Sequence, residues 1–501
     1  MIPKPRADLK PNTADFERLA LVKPTGFREY DARWLFPEEI NLMGLNAVGL
    51  GLATLFARRN VPKRIVVGHD YRSYSGQVKQ ALMTGLLAGG CEVHDIGLAL
   101  SPMAYFAQFE LDVEGVAMVT ASHNDNGWTG IKMGLSRPLT FGPDDMLQLK
   151  DIVLNGTYET KSGGRYVFVP DMMERYIASL IDRPKLKRKL KVVAACGNGT
   201  AGEFATRVLE AVGCEVVPLH TDLDYNFPHH NPNPEDMKML TAVSAKVLET
   251  RADVGLAFDG DGDRCGVVAN DGHEIFADKV GVMLARDLSA IHKNATFVVD
   301  VKSTGLFTTD PVLIANGAKT TYWKTGHSYI KRFNFEHKTL VGFEKSGHFF
   351  FNTPLGRGYD DGLVAALAVC DMLDRAPSKT MVDLRDALPK TWGSPTMSPH
   401  CGDEVKYGVV DKVIEHYKRQ HATGAKVAGQ KVRELITVNG VRVMLEDGTW
   451  GLIRASSNKP ELVVVVESPT SEANMKAIFK DLDQQLSRHP EVGEYNQKIA
   501  V

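Results

Sequence analysis

Short apolar strands that alternate with helix-length segments restrict the fold of this chain more than any other feature. Residues 63–68 (KRIVVG) form a strand candidate, and residues 75–89 have helical spacing and lead into the pair Gly89-Gly90, where a helix stops. Strand candidates at 91–96 and 115–120 follow. Strands that alternate with helices are typical of βαβ units. The N-terminal part is therefore predicted to be an α/β domain.

The same alternation restarts twice further along the chain. In order, the predicted elements are a strand at 191–195, a helix at 203–212, a strand at 214–219, a hairpin-type turn at 269–272, a helix at 279–288 and a strand at 296–300. No strong internal repeat is visible, but the restarts predict three successive α/β units, each about one domain long.

The C-terminal part has a different pattern, with strands in a row between helices. Its predicted elements are a helix at 409–419, strands at 438–445, 449–455 and 461–467, and a helix at 474–486. This order predicts a small α+β domain. The Pro- and Ser-rich residues 374–398 contain its predicted boundary.

Length and charge limit the class of protein. The 501 residues correspond to three to four domains at roughly 150 residues each. With 59 basic and 61 acidic residues the net charge is −2, which favours neither a nucleic-acid partner nor an anionic membrane. The basic run 185–191 has no interleaved aromatic residues and is interpreted as a solvent-exposed loop.

Cysteine spacing and hydropathy predict a cytoplasmic protein with reduced thiols. The six cysteines are far apart and form no CxxC pair, which argues against a zinc ribbon, a dithiol redox site and a disulfide framework. The first residues lack the apolar region of a secretory signal. The aliphatic run at 463–466 is far too short to span a membrane.

Three aspartates follow the apolar strand candidate 254–258, in the sequence DGDGDR. Carboxylates this close repel one another unless a cation lies among them, and the interleaved glycines permit the bends that would bring Asp259, Asp261 and Asp263 together. The spacing does not fit an EF-hand, and hard oxygen ligands suit Mg²⁺. A solvated acidic turn is the alternative, but a magnesium site is favoured.

Ser122, in the segment TASHN, falls just past the strand candidate 115–120. A side chain there can project into the crevice at the carboxyl edge of a sheet. A serine hydroxyl needs a base or a metal to act as a nucleophile. Adjacent residues rarely face each other, so no dyad of Ser122 with His123 is predicted. The alternative is a polar turn without a catalytic role.

Two further loops carry polar groups suited to a sugar phosphate. Glu344, Ser346 and His348 alternate and could bind sugar hydroxyls, although they could equally form a polar strand end. The segment 454–460 (RASSNKP) combines a guanidinium with short polar side chains and free backbone N–H groups, which suits a phosphate. An ordinary serine-rich turn is the alternative.

Taken in order, these loops resemble those of the α-D-phosphohexomutase family, in its bacterial phosphomannomutase/phosphoglucomutase branch. The resemblance covers nearly the whole chain, and the combination of TASHN with DGDGDR is specific. It is supported by the segments FREYDAR, DVK, WKTGHS and YDDG, which occupy residues 27–33, 300–302, 323–328 and 359–362.

The resemblance implies four domains around a central cleft. Three would have mixed α/β sheet cores, and the fourth would be a C-terminal α+β lid. We place the boundaries at 1–165 for the phosphoserine-loop domain, 166–271 for the metal-loop domain, 272–390 for the sugar-loop domain and 391–501 for the phosphate-binding domain.

The resemblance also implies residue roles. Ser122 would carry the phosphoryl group, and Mg²⁺ would be held by Asp259, Asp261, Asp263 and a phosphoserine oxygen. Lys132, His327 and Arg33 would handle protons. The residues implied to bind substrate are Tyr30, His123, Arg264, Lys302, Thr325, Gly326, Glu344, Ser346, His348, Arg454, Ser456, Ser457 and Asn458.

The implied reaction is reversible transfer of phosphate between C1 and C6 of glucose or mannose phosphates. It would proceed through a phosphoserine enzyme and a hexose 1,6-bisphosphate, with glucose or mannose 1,6-bisphosphate as activator. The protein would be a monomer or homodimer. The alternatives are a phosphoglucosamine mutase, a hydrolytic phosphatase and a non-catalytic sugar-bisphosphate-binding protein.

The chain departs from the family pattern at three places. Lys345 stands where an uncharged residue is usual, and Trp34 follows Arg33 where glycine is common. The segment 454–458 reads Arg-Ala-Ser-Ser-Asn instead of Arg-x-Ser-Asn-Thr. Its short polar residues are kept, so phosphate binding is expected to survive.

Overall fold

A computed structural model describes residues 3–457 and 459–500. Two compact units divide them. The first contains the residues up to Ala277 together with 331–338 and 346–382. The second contains Asp278–Ile330, 339–345 and the residues from 383 onwards.

The described residues of the N-terminal α/β part form six strands and six α-helices. The strands are β1 (Ala32–Leu35), β2 (Arg64–His69), β3 (Glu92–Leu98), β4 (Gly115–Val119), β5 (Trp128–Gly134) and β6 (Arg165–Phe168). The helices are α1 (Ala14–Arg18), α2 (Leu42–Arg58), α3 (Ser75–Ala88), α4 (Ser101–Glu110), α5 (Pro143–Asn155) and α6 (Met172–Ile181).

The first sheet is mixed, with strand order β1-β5-β4-β2-β3-β6. Strands β4, β2, β3 and β6 run parallel, whereas β5 is antiparallel to both of its neighbours. Strand β4 is buried along its whole length, which explains its continuous apolar sequence. Its carboxyl end leads directly into the loop that contains Ser122.

The second α/β part belongs to the same unit. Its strands are β7 (Lys191–Ala195), β8 (Glu215–Leu219), β9 (Val254–Phe258), β10 (Cys265–Ala269) and β11 (Glu274–Ile275), and its helices are α7 (Ala205–Ala211) and α8 (Met237–Thr250). The order is β11-β10-β9-β7-β8, with β7 parallel to both neighbours and β10 antiparallel to β9. The turn predicted at 269–272 joins the antiparallel strands β10 and β11.

The third α/β part follows Ile275. Its elements are α9 (Ala277–Ile291), β12 (Thr296–Asp300), α10 (Leu306–Thr309), α11 (Pro311–Ala315), β13 (Lys319–Trp323), α12 (His327–His337), β14 (Val341–Phe343), β15 (Phe349–Phe351), α13 (Gly362–Arg375) and α14 (Met381–Asp386). In the second unit, β12 pairs in parallel with β13 and with β14.

The C-terminal sheet is antiparallel, in the order β16-β21-β20-β19-β18-β17. Its elements are β16 (Trp392–Gly393), α15 (Lys406–Thr423), β17 (Lys426–Val427), β18 (Gln430–Ile436), β19 (Val441–Leu445), β20 (Trp450–Ala455), β21 (Leu462–Ser468) and α16 (Glu472–Leu486). Strands β19, β20 and β21 are buried throughout, and α15 and α16 supply apolar residues to the same core. The predicted α+β arrangement is therefore present.

Glu467, on β21, connects the C-terminal sheet to the third α/β part within the second unit. Its carboxylate lies 2.9 Å from Lys279 Nζ on α9 and accepts hydrogen bonds from Thr304 Oγ1 and the Gly305 backbone. Burial alone would raise the pKa of Glu467, but Lys279 and the other donors lower it to about 2. The ionised carboxylate therefore stabilises this junction.

Residues 185–190 of the basic run form the loop that precedes β7, as predicted, and Lys191 begins the strand. The side chains of Lys185, Lys187 and Lys189 are exposed, and Arg188 pairs with Asp253 at 2.7 Å. The run is thus a solvated loop with local ion pairs.

Candidate functional site

Ser122 lies three residues beyond the end of β4 in a left-handed backbone conformation, with φ of 53°. Its N–H donates to Thr120 Oγ1 at 2.8 Å, and its side chain is largely buried. The hydroxyl oxygen lies 3.3 Å from Nδ1 of His123 and 3.3 Å from Oδ2 of Asp259. The expectation that Ser122 and His123 do not face each other was wrong, because the tight turn brings the adjacent side chains together.

Asp70 and Arg72, which no sequence pattern predicted, hold the serine loop (residues 120–124) in place. Asp70 Oδ2 accepts hydrogen bonds from Thr120 Oγ1 at 2.8 Å and from the Ala121 backbone at 3.3 Å. Arg72 donates to the carbonyl oxygens of Ser122 and Asn124 at 2.9 and 2.6 Å, and it also pairs with Asp70. The buried pair therefore positions the backbone on both sides of the hydroxyl.

The three aspartates converge beyond the end of β9. All three are fully buried, and each offers an oxygen within 4.8 Å of the others. Oδ1 of Asp261 and Oδ1 of Asp263 have no hydrogen-bond partner among the described residues. Buried carboxylate oxygens without partners are costly, so this arrangement fits a hard divalent cation.

Gly260 allows the aspartate loop (residues 259–264) to approach the serine loop closely. A Cβ atom at this position would lie 2.5 Å from the carbonyl oxygen of Ser122, which is too close for any side chain. Gly262 has φ of 71°, in the region that favours glycine. The two interleaved glycines thus serve different needs: close approach and backbone curvature.

The side chain of Lys132 extends from β5 to the aspartate loop. Its Nζ lies 2.7 Å from Asp261 Oδ2 and also contacts Asp263 Oδ2. Burial alone would lower the pKa of Lys132, but Asp261 and Asp263 outweigh it and raise the pKa well above the ordinary value. The same ion pair, with the hydroxyl of Ser101, holds the pKa of Asp261 far below its usual range despite burial.

Asp259 has a different environment from its two neighbours. Burial, reinforced by the charge of Asp263, raises its pKa to about 7, although Arg264 opposes this shift. Arg264 Nε donates to Asp259 Oδ2 at 3.0 Å, and Arg264 Nη2 is buried without a hydrogen-bond partner among the described residues. A divalent cation would favour the ionised form of Asp259.

Arg33 reaches the serine loop from β1. Nη1 donates to the carbonyl oxygen of Thr120 at 2.7 Å, and Nη2 lies 3.1 Å from Asp31 Oδ2. Tyr30 is also buried in this unit. The segment FREYDAR therefore places a guanidinium beside the backbone that leads to Ser122.

His348 is next to the aspartate loop. Its Nδ1 lies 3.7 Å from Asp263 Oδ1 and 3.0 Å from Asp360 Oδ2, and Lys331 Nζ lies 2.9 Å from the other oxygen of Asp360. The sequence alone indicates neither that Asp360 is a partner of His348 nor that Lys331 belongs to the same buried group of charges. Ser346, half-buried, lies in the same unit.

The predicted sugar loop begins in the second unit with Glu344. Its Oε1 accepts a hydrogen bond from the Gly326 N–H at 2.5 Å, and Thr325 Oγ1 donates to Asp300 Oδ2 at 3.2 Å. Lys302 Nζ lies 3.9 Å from the same Asp300 oxygen. The carboxyl ends of parallel strands thus bring together Glu344, Thr325, Gly326 and Lys302.

His327 also lies in the second unit, as the first residue of α12, and its side chain is largely buried. Lys345 is neutralised locally, because its Nζ donates to Asp278 Oδ2 at 3.2 Å. This pairing explains how the chain accommodates a charged residue at the position where an uncharged one is usual.

The loop after β20 contains the predicted phosphate-binding residues. Arg454 is buried and donates from Nη1 to the Ala455 carbonyl at 2.7 Å, and its Nε has no hydrogen-bond partner among the described residues. Lys406, which the sequence argument missed, donates to the carbonyl oxygens of Ser456 and Lys459 at 2.6 and 3.0 Å. Ser457 is half-buried. Asn458 lies outside the described residues.

The predicted site residues fall into two groups. The first unit contains Tyr30, Arg33, Ser122, His123, Lys132, Asp259, Asp261, Asp263, Arg264, Ser346 and His348. The second unit contains Lys302, Thr325, Gly326, His327, Glu344, Arg454, Ser456 and Ser457.

Four family models match the chain in succession. They describe the phosphoglucomutase/phosphomannomutase alpha/beta/alpha domains I, II and III, at residues 24–160, 174–272 and 276–392, and the C-terminal domain of the same proteins, at residues 409–485. The chain belongs to the phosphoglucomutase/phosphomannomutase family. The resemblance, the four domains and the α/β class are thereby confirmed.

Individual relatives agree with this assignment over most of their length. A phosphomannomutase/phosphoglucomutase of Pseudomonas syringae pv. tomato is 33% identical over 92% of this chain and 97% of the relative. A phosphoglucomutase of Neisseria gonorrhoeae is 32% identical over 89% and 94%. The crystal structure of a phosphoglucomutase/phosphomannomutase family protein of Burkholderia thailandensis has a TM-score of 0.82 and 32% identity, covering 93% of this chain and 98% of that one.

None of the helices in the described part of the chain combines the length and the apolar character that a membrane crossing requires.

Proposed function

We propose that the protein is a phosphohexomutase, an isomerase that moves phosphate between C1 and C6 of glucose and mannose. The observation that carries this proposal is the position of the Ser122 hydroxyl, 3.3 Å from a carboxylate of the buried aspartate triplet. Phosphoryl transfer depends on positioning and on neutralisation of charge more than on covalent activation. The first unit of this family member supplies both the positioning and the positive charge.

Ser122 is the proposed phosphoryl carrier. The phosphoserine gives its phosphoryl group to the free hydroxyl of a hexose monophosphate, which leaves a free serine and a hexose 1,6-bisphosphate. The bisphosphate then returns its other phosphoryl group to Ser122. Asp70 and Arg72 keep the loop in one conformation during both transfers, because they hold the backbone on each side of the serine.

Asp259, Asp261 and Asp263 are the proposed ligands of Mg²⁺, with an oxygen of the phosphorylated Ser122 as the fourth. The ion, when bound, would offset negative charge on the phosphoryl group. Lys132 and Arg264 contribute positive charge to the same region, since both contact the aspartates directly.

Proton handling is assigned to Lys132, Arg33 and His327, to which the structure adds a candidate. His348 lies beside the aspartate loop and is oriented by Asp360, 3.0 Å from its Nδ1. A neutral imidazole held by a carboxylate is a suitable acceptor for the proton of a sugar hydroxyl.

Substrate recognition is assigned largely to the second unit. Glu344 and Ser346 would bind the hydroxyls at C3 and C4, and Lys302, Thr325, Gly326 and His348 would make further contacts with the substrate. If no residue contacts the hydroxyl at C2, glucose phosphates and mannose phosphates are both accepted as substrates. Arg454, Ser456, Ser457, Asn458 and Tyr30 would hold the phosphate that is not being transferred.

A comparison of rates on three substrates tests the proposal. With glucose 1,6-bisphosphate as activator and Mg²⁺ present, glucose 1-phosphate and mannose 1-phosphate should both be converted to their 6-phosphates. The rate with glucosamine 1-phosphate should be lower by about tenfold or more. Preference for glucosamine 1-phosphate would identify a phosphoglucosamine mutase, and steady release of inorganic phosphate would identify a phosphatase. Binding of these sugar phosphates without turnover would identify a non-catalytic sugar-phosphate-binding protein.

The remaining assignments are also proposals. We expect hexose phosphates as the only class of partner, with neither nucleic acid nor membrane bound, a cytoplasmic location, and a monomer or homodimer. Light scattering of the purified chain measures the last of these.

A further inference from the structure

Three histidines, none of them assigned a role above, cluster in the segment that follows β8. His220 Nδ1 lies 3.2 Å from His230 Nε2. The ring of His229 stacks on that of His220, with centroids 3.8 Å apart and an interplanar angle of 10°. His230 is buried, whereas His229 is exposed.

The hydrogen bonds of His230 determine which of its nitrogens is free. Its Nδ1 lies 3.0 Å from the backbone carbonyl oxygen of Asn231. A carbonyl oxygen can only accept, so Nδ1 carries the proton and Nε2 presents its lone pair to His220. Anchoring one ring nitrogen on a backbone carbonyl is the usual way in which proteins orient a metal-binding histidine.

The separation of the two nitrogens matches that of metal ligands. Two nitrogens at about 2.0–2.1 Å from a tetrahedral zinc ion are about 3.3 Å apart. The distance from His220 Nδ1 to His230 Nε2 is 3.2 Å.

We propose that His220 and His230 form the core of a binding site for Zn²⁺ or another late first-row divalent cation. Water molecules complete the coordination of the ion. Nitrogen ligands select such ions over Mg²⁺, which prefers oxygen. In the metal-free protein, His220 Nδ1–H donates to His230 Nε2. On binding, that proton is exchanged through water to Nε2 of His220, so the ligand remains neutral.

The site is joined to the serine loop. Asn231, next to His230, donates from Nδ2 to the carbonyl oxygen of His123 at 2.7 Å and to Asp125 Oδ1 at 2.8 Å. Asn126 Nδ2 in turn donates to the Tyr225 carbonyl at 2.6 Å. A cation that links His220 to His230 therefore also fixes the segment 220–231, which contacts the loop that contains Ser122.

Calorimetric titration of the untagged protein with Zn²⁺ tests the site, with excess Mg²⁺ present to occupy the aspartate triplet. We expect one equivalent to bind in the micromolar range. His220→Asn and His230→Gln should each weaken binding by about tenfold or more. Asparagine is chosen at 220 because the backbone there has φ of 51°, which asparagine tolerates. His273→Asn, at an exposed histidine elsewhere in the unit, is the control and should leave binding unchanged.

Cobalt provides a measurement that needs no variant. Co²⁺ bound to the wild-type protein in excess Mg²⁺ should show the intense visible absorption of a tetrahedral, nitrogen-ligated ion, and one equivalent of Zn²⁺ should abolish it. Absence of saturable Zn²⁺ binding, or binding that both histidine variants retain at full affinity while remaining folded by circular dichroism, would overturn the proposal. Neither result bears on the mutase assay, which requires only Mg²⁺.

Discussion

Oδ2 of Asp259 lies 3.3 Å from the hydroxyl oxygen of Ser122, although 137 residues separate them in the chain. Ser122 follows β4 of the first sheet, and Asp259 follows β9 of the second. The carboxyl ends of these two buried strands therefore meet at one point. Everything proposed for the transfer chemistry depends on this contact.

Replacing a member of the aspartate triplet tests the metal assignment. Asp261→Asn removes one negative ligand and one partner of Lys132, so Mg²⁺ should bind more weakly and kcat should fall by about 100-fold or more. Titration with Mg²⁺, followed by activity and by calorimetry, measures both effects. Asp151→Asn, at an exposed acid on α5, should behave as wild type. If Asp261→Asn depends on Mg²⁺ in the same way as wild type, the triplet is not the metal site.

Gly260→Ala tests the close approach of the two loops. The new Cβ would lie 2.5 Å from the carbonyl oxygen of Ser122, so one loop must move. We expect a lower kcat together with a loss of about 1–3 kcal/mol in the free energy of unfolding. Gly76→Ala is the matched control, since a Cβ there meets nothing within 4 Å. Full activity and stability in Gly260→Ala would show that the loops are not held as described.

Arg454→Ala tests the distal phosphate site. Loss of the guanidinium should raise KM by about 10- to 100-fold, the value of a charge-assisted hydrogen bond, with a smaller effect on kcat. Arg433→Ala, at an exposed arginine of the same C-terminal sheet, is the control. Steady-state kinetics with glucose 1-phosphate separates the two constants. A fall in kcat at constant KM would place Arg454 in the transfer step instead.

Glu467→Gln tests the junction within the second unit through its pH dependence. Removing the charge of the buried Glu467 leaves the half-buried Lys279 beside a neutral amide and should cost about 3 kcal/mol in the free energy of unfolding at pH 7. The pKa of Glu467 is lowered to about 2 in the folded protein, so its contribution is complete above the ordinary pKa near 4.5 and declines as the pH falls towards 2.

Urea unfolding of wild type and Glu467→Gln from pH 8 to pH 3.5 measures this decline. The difference between the two proteins should be constant down to about pH 5 and shrink below it. Glu472→Gln, at an exposed glutamate at the start of α16, should show no difference. A Glu467→Gln difference that grows on acidification would contradict the assigned ionisation.

Buried strands were predictable from the sequence because their apolar runs are continuous. The strands predicted at 191–195 and 296–300 have the same bounds in the structure. By contrast, β5 contains the polar residues Thr129 and Lys132, and β6 is a largely exposed edge strand. Neither has the apolar pattern of a core strand, so both went unrecognised.

The groups proposed to react could be identified from local sequence, but the residues that hold them could not. Ser122 and the aspartate triplet follow apolar strands directly. Asp70, Arg72 and Lys406 act across the fold, on backbone atoms about 50 residues away. No short sequence pattern encodes such contacts, because they exist only once the strands and loops are placed side by side.

The most direct test of the account is to locate the phosphoryl group. Protein incubated with glucose 1,6-bisphosphate and Mg²⁺ should gain the mass of one phosphoryl group, and peptide mapping should place it on Ser122. Ser122→Ala should gain none and should not turn over, while still binding glucose 1-phosphate; Ser162→Ala, at an exposed serine, should be labelled as wild type is. Phosphate on a different residue, or normal turnover by Ser122→Ala, would contradict the account.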